Sequence, residues 1–396
     1  VNALPTRRMA LVGNEAVALA WKQIRPHVVA AYPITPSTQI MECFSQYVAE
    51  GEVDTEFVPV ESEHSALSAC VGAAAAGART LTATSSQGLA LMHEVLYIAS
   101  GLRLPIVMNV GTRALSAPIN IHGDHSDVMG SRDAGWIQMF ARSVQEAYDR
   151  TILAVRVAER ARLPVMVCLD GFTLTHSLEP VEVYPDEAVQ AFLGEGPTGG
   201  SSLLDGEPIT IGPFALPDVY MEFRKALADA HARALRLLEE ETEAFNAHFG
   251  RDLPALLEPF EMEDAEDAVV TLGAYADVVE EAVRRWRERG RRLGMVRLVV
   301  FRPFPAEELR RVLARTTEVV VLERADTLSG QGGPLGIEVR AALYGLPTPP
   351  RITDAIFGLG GRELRDAELD GFLEAGPRGR VVYLGSKEAG DVPEPA

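Results

Sequence analysis

Val28-Val29-Ala30-Ala31-Tyr32-Pro33-Ile34-Thr35-Pro36-Ser37 decides how this chain is read. An apolar run stops at Pro33 and gives way to a loop and a helical stretch. The same change recurs four times. Phe57-Val58-Pro59-Val60 runs into Glu61-Ser62-Glu63-His64-Ser65-Ala66, and Thr80-Leu81-Thr82-Ala83-Thr84 into Ser85-Ser86-Gln87-Gly88-Leu89. Pro105-Ile106-Val107-Met108-Asn109-Val110 runs into Thr112-Arg113-Ala114-Leu115-Ser116-Ala117-Pro118, and Pro164-Val165-Met166-Val167-Cys168-Leu169 closes the series. Near-continuous apolar strands separated by helical segments indicate a parallel sheet covered on both faces, an open α/β domain. Strand ends of such a sheet converge on one edge, and ligands sit there. The Thr35 hydroxyl, a carboxylate of the 61–66 block, the Gly88 turn and the Arg113 guanidinium are therefore expected at one mouth.

Outward from this core, residues 63–77 are rich in alanine, serine and glycine, as suits a helix packed closely on its neighbours. Residues 193–218 hold ten glycines and prolines spread through the segment, which break regular structure and read as a long surface excursion. Residues 220–248 read as an amphipathic helix whose charges form a solvated face. Pro254, Pro259 and the acidic run 261–267 mark a boundary. Beyond it, Val269-Val270-Thr271-Leu272-Gly273, the run 294–300 and Glu318-Val319-Val320-Val321-Leu322-Glu323 alternate with helical segments, giving a second parallel α/β domain. The expected division is 1–260 and 261–396, with residues 384–396 a polar tail.

The chain has 396 residues and a net charge of -19, which argues against a nucleic-acid partner. No apolar run is long enough for a membrane span, and residues 1–8 lack the apolar core of a secretory signal. Cys43, Cys70 and Cys168 stand far apart in apolar settings. They read as buried thiols in a reducing cytoplasm, without the spacing of a disulfide framework, metal site or iron–sulfur cluster.

Each block also has an ordinary reading. Thr35 before Pro36 is a common helix start, threonine at N-cap and proline at N1; alternatively its hydroxyl faces an anion. Glu61 or Glu63 could simply favour the helix dipole, or one could be a buried acid aimed at a heteroaromatic nitrogen. Arg113 suits either a surface ion pair or a bidentate grip on a carboxylate. His122, Asp124, His125 and Asp127 have a metal-like spacing, but capping and loop hydrogen bonds are the favoured reading. The loop 330–336 is glycine-rich after a strand, yet Leu335 stands where a dinucleotide fingerprint needs its last glycine, so a tight turn is expected.

Taken together, Tyr32 to Ser37, Glu61 to Ala66, Ser86-Gln87-Gly88-Leu89, Arg113 to Pro118, Asp124-His125-Ser126-Asp127 and Arg132-Asp133-Ala134-Gly135-Trp136 resemble the α subunits of the 2-oxoacid:ferredoxin oxidoreductase family, those acting on pyruvate (pyruvate synthases) above all. Phe301-Arg302-Pro303-Phe304-Pro305 and Gly358-Leu359-Gly360-Gly361-Arg362 extend the resemblance into the second domain. It implies a pyrimidine-side thiamine diphosphate domain followed by a transketolase C-terminal-like domain. It also implies that Glu63 hydrogen-bonds the cofactor's pyrimidine nitrogen, that Thr35 and Arg113 hold the substrate carboxylate, and that Pro33, Ser86 and Gln87 line the cofactor with Glu63. No Gly-Asp-Gly…Asn pattern for a Mg²⁺-diphosphate grip is present; Gly123-Asp124-His125 lacks the continuation. The resemblance thus implies a β subunit holding diphosphate, Mg²⁺ and a [4Fe–4S] cluster, with γ and ferredoxin-like δ subunits, and coenzyme A and ferredoxin as co-substrates. A branched-chain 2-oxoacid is the alternative substrate, and a non-catalytic binding scaffold the alternative of another class.

Overall fold

The computed structural model describes residues 6–196, 203–204, 208–376 and 381–387. Its strands are β1 (Arg7–Val12), β2 (Val28–Ala31), β3 (Glu56–Pro59), β4 (Thr80–Thr84), β5 (Ile106–Thr112), β6 (Ile137–Phe140), β7 (Val165–Asp170), β8 (Leu178–Val183), β9 (Leu257–Phe260), β10 (Asp267–Leu272), β11 (Leu293–Leu298), β12 (Val300–Arg302), β13 (Glu318–Glu323), β14 (Arg351–Ile356) and β15 (Val381–Tyr383). The chain forms two compact units, Val1–Glu258 with Leu298–Pro305, and Pro259–Arg297 with Ala306–Ala396.

The first unit is built on a seven-stranded sheet in the order β12-β6-β7-β5-β4-β2-β3. β2, β3, β4, β5, β6 and β7 pair in parallel, and only β12 runs antiparallel, on the edge beside β6. Every residue of β4, β5 and β7 is buried, as expected of strands covered on both faces. A fully buried polar bridge fixes the centre. Trp21 Nε1 donates to Asn109 Oδ1 at 2.8 Å, and Asn109 Nδ2 donates to Thr151 Oγ1 at 2.8 Å. This ties helices Gly13–Ile24 and Val144–Ala161 to β5 with no polar atom of the bridge wasted, which pins the strand whose far end carries Arg113. Helix Glu63–Ala75 carries the alanine-rich stretch and turns Ala66, Leu67, Cys70 and Ala74 inward.

The second unit has a six-stranded sheet, β15-β14-β13-β10-β11-β9. β10, β13, β14 and β15 pair in parallel around a core that includes Val279, Val283, Met295, Leu322 and Phe357. The glycine-rich loop is a strand-to-helix turn, as expected. Glu323 accepts the N–H groups of Leu335 and Gly336, and Asp354 accepts that of Gly333, at the start of helix Pro334–Leu343. Gly332 and Gly336 are required, because a Cβ at either would stand about 2 Å from Asp354 Oδ2.

Three expectations are corrected. The run 294–300 is two strands in two sheets. Residues 293–298 belong to β11, while Val299 and Val300 donate to the Leu256 carbonyl and the chain enters β12. All of these residues are buried, so no alternation marks the break. The long helix is Pro217–Phe249, opened by proline at its start and closed by left-handed Gly250, and its charges are not all solvated. Glu241 is fully buried and pairs with Arg156 and Arg160 of the neighbouring helix, while Arg236 with Glu240 and Lys225 with Asp229 are the exposed pairs. Thr35 is not an N-cap: its helix is Thr38–Ala49, preceded by Ser37 with no side-chain cap. Much of the 193–218 excursion and most of the 384–396 tail lie outside the described residues. No helix among the described residues is long and apolar enough to cross a membrane.

Candidate active site

Helix Glu63–Ala75 begins directly after the turn that follows β3, and the Ser62 hydroxyl accepts the Ser65 N–H at 3.2 Å. This cap sets which glutamate enters the sheet edge. Glu61 is exposed and accepts the Ser65 hydroxyl at 2.5 Å. Glu63 is only 7% exposed, and its carboxylate accepts no hydrogen bond among the described residues. A buried carboxylate without a donor is costly, so this position is prepared for a group that brings one. The carboxylate lies against the bare Cα of Gly88. A Cβ there would stand 2.7 Å from Glu63 Oε1 and 2.4 Å from Thr84 Oγ1, and that threonine hydroxyl is itself buried without a partner.

At the end of β5, Arg113 is also 7% exposed. Its Nη1 donates to the Thr35 carbonyl at 3.0 Å and its Nε to the Asn120 carbonyl at 2.9 Å. Only two of the five guanidinium N–H groups are so used. Thr35 is exposed and, with Pro36, Thr38, Gln39, Glu42 and His176, lines a polar cavity of about 280 Å³. Pro33 is exposed on the same loop.

Ser86 opens the helix after β4 in a left-handed conformation, φ 48°. Its hydroxyl lies 2.5 Å from the Ala114 carbonyl and 2.6 Å from Gln87 Oε1. The metal-like His-x-Asp-His-x-Asp residues are occupied otherwise. Asp124 accepts the Ser126 N–H and hydroxyl, His125 pairs with Asp170 at 2.8 Å, and His122 sits exposed against Phe172, which stacks on His176. Asp127, noted in the sequence for its metal-like spacing, has a role that spacing did not reveal. Its Oδ2 accepts the backbone N–H groups of both Ser86, at 2.8 Å, and Arg113, at 3.0 Å, and its Oδ1 accepts that of Val128. Burial raises its pKa to about 7 in spite of those donors. The structure thus gathers Glu63 with the Ser86–Gly88 turn, and Arg113 with Thr35, and joins the two groups through Asp127.

An unpaired buried acid and a half-used guanidinium on one strand-end edge define an α/β protein prepared for a proton-bearing cofactor and an anionic substrate. The comparisons give that class its family. Residues 19–243 match the pyruvate flavodoxin/ferredoxin oxidoreductase thiamine diphosphate-binding domain, and residues 265–369 match pyruvate:ferredoxin oxidoreductase core domain II. Pyruvate synthase subunit PorA of Thermotoga maritima is 50% identical over 96% of this chain and 98% of its own length. The Pyrococcus furiosus protein of the same name is 47% identical over 94% and 93%. Ketoisovalerate oxidoreductase subunit VorA of Pyrococcus abyssi is 42% identical over 91% of each chain. The solved 2-oxoglutarate:ferredoxin oxidoreductase of Magnetococcus marinus shares the fold, with a TM-score of 0.70 at 20% identity; the match covers 94% of this chain and 65% of that one. The chain belongs to the pyruvate:ferredoxin oxidoreductase family and carries its thiamine diphosphate-binding domain.

Gly88→Ala tests the packing under Glu63. The added methyl overlaps the carboxylate and the Thr84 hydroxyl, so the glutamate must move. In the assembled enzyme, turnover should fall by about a hundredfold, the scale of an ångström-sized misplacement, while circular dichroism of the chain stays native. Wild-type turnover would show that Glu63 tolerates displacement and that the close contact is incidental.

Proposed function

We propose that this chain is the α subunit of a pyruvate:ferredoxin oxidoreductase, which converts pyruvate, coenzyme A and oxidised ferredoxin reversibly into acetyl-CoA, CO₂ and reduced ferredoxin. The observation that carries the reading is Glu63, a buried carboxylate left without a donor at the ligand edge of a thiamine diphosphate-binding domain. The residues present fit the cofactor's pyrimidine side: an acid without a partner, an unpartnered Thr84 hydroxyl beside it, and a glycine where a side chain would intrude. When bound, thiamine diphosphate supplies the electron sink for loss of CO₂ from a 2-oxoacid.

In this reading Glu63 holds a proton at the pyrimidine ring nitrogen, with Pro33, Ser86 and Gln87 lining the same ring system. Arg113 supplies its free N–H donors to the substrate carboxylate, and Thr35 adds a hydroxyl. The two carbonyls on Arg113 fix the plane of the guanidinium, which leaves a planar fork for a bidentate partner. Diphosphate, Mg²⁺ and a [4Fe–4S] cluster are assigned to a β subunit, and further clusters to a δ subunit, with γ completing a cytoplasmic complex. The 42%-identical ketoisovalerate oxidoreductase subunit supports a second reading, in which a branched-chain 2-oxoacid is the substrate. The carboxylate grip is shared by both.

Purified alone, the chain should be colourless and show no pyruvate-dependent dye reduction. Co-purified with its partner subunits it should be brown and active with coenzyme A and ferredoxin, with kcat/KM higher for pyruvate than for 2-oxoisovalerate. A reversed preference would favour the second reading, and decarboxylation by the isolated chain would contradict the subunit assignment. Arg113→Lys keeps the charge but loses the fork. It should raise KM for pyruvate by about tenfold, the order of one lost charge-assisted hydrogen bond; unchanged steady-state constants would remove Arg113 from the substrate site.

A further inference from the structure

The two groups at the strand-end edge are held by different strands. Glu63 and its glycine support depend on the turn after β4, and the guanidinium depends on the chain after β5. One side chain touches the backbone of both. We infer that Asp127 is a positioning residue for the reaction, clamping the Ser86 and Arg113 N–H groups on one carboxylate oxygen so that the pyrimidine-side acid and the substrate-side cation keep a fixed separation. The inference rests on the functional reading above and extends it to a residue that touches neither substrate nor cofactor.

The geometry supports a clamp in three ways. Oδ2 accepts two N–H groups at 2.8 and 3.0 Å, from residues 27 positions apart in the chain, while Oδ1 is engaged by Val128. The Ser86 hydroxyl reaches the Ala114 carbonyl, a second brace between the same two loops. Ser86 also holds a left-handed φ, a conformation that serine adopts rarely and that the surrounding hydrogen bonds must maintain. Both carboxylate oxygens face N–H donors, so a proton on either oxygen sets O–H against N–H.

The environment opposes the charge. Asp127 is fully buried, Asp124 lies near it on the same loop, and the buried Cys168 thiol of β7 feels its charge together with that of Asp170, which is held by His125. The Arg113 guanidinium turns away to Thr35. With its pKa raised to about 7, Asp127 favours the folded state when protonated. That stabilisation is complete below the ordinary carboxylate range and is lost as pH rises through about 7. The clamp needs the ionised form, so activity and stability should respond to pH in opposite directions, which a merely structural carboxylate would not produce.

The test is Asp127→Asn in the assembled enzyme. We expect KM for pyruvate to rise and kcat to fall, lowering kcat/KM by about tenfold to a hundredfold. The wild-type acid limb near pH 7 should disappear from the profile. The melting temperature of the Asn chain, measured against wild type, should improve steadily from pH 5 to pH 8. Unchanged kinetic constants, or a stability loss with the acid limb intact, would overturn the proposal. If the Asn chain fails to assemble, Asp127→Glu is the second variant: a displaced acid limb supports the clamp, and wild-type constants with an undisplaced limb overturn it. Failure of the wild-type complex to oxidise pyruvate would instead undo the functional reading, and the pH trend in melting temperature would still stand or fall by itself.

Discussion

A carboxylate packed against the bare Cα of Gly88 sets the terms for the rest of the site. Glu63 enters the sheet edge because Ser62 caps the helix one residue earlier and leaves the glutamate in the first turn, facing inward. It stays there without a protein donor because no side chain occupies the glycine's position. Burying a carboxyl group without a donor is costly in general terms. A fold that retains one at a ligand edge does so where a ligand completes it. The Thr84 hydroxyl beside Glu63, buried and without a partner among the described residues, belongs to the same preparation.

The parallel sheet makes this possible by bringing loops from distant parts of the chain to one edge. β2, β3, β4 and β5 deliver Thr35, Glu63, Ser86 and Arg113 respectively. The Trp21–Asn109–Thr151 bridge pins β5 from its middle, and Asp127 ties the loops beyond β4 and β5 together. Rigidity at the scaffold therefore extends into the loops, where catalytic geometry is decided. The second unit is also built on parallel strands, and there Glu323 and Asp354 Oδ2 accept backbone N–H groups of the glycine loop.

The parallel architecture was legible in the sequence because buried parallel strands are apolar throughout and end at proline, glycine or polar turns. The 294–300 run was misread for the same reason: with every residue buried, nothing in the pattern shows the chain leaving one sheet for another. β6, a four-residue strand without turn signals of its own, and the partnering of β1 with β8 were invisible for want of a long apolar run. Spacing alone left Glu61 and Glu63 open; the resemblance pointed to Glu63, and the cap geometry turns that residue inward. Asp127 sat in a motif that looked metal-like, and its work is done through backbone N–H groups, which leave no trace in residue identity. Glu241 looked like one more charge on a solvated helix because its arginine partners are more than eighty positions away.

If Glu63 activates the cofactor, proton exchange at thiamine C2 reports it most directly. Glu63→Gln keeps the shape and burial of the side chain and removes the carboxylate. In the complex assembled with its partner subunits and loaded with thiamine diphosphate, hydrogen–deuterium exchange at C2 should slow by about two orders of magnitude or more, the scale of a lost acid–base partner, with cofactor still bound and the complex intact. Exchange at the wild-type rate in that variant would contradict the account and leave the buried glutamate with a structural role alone.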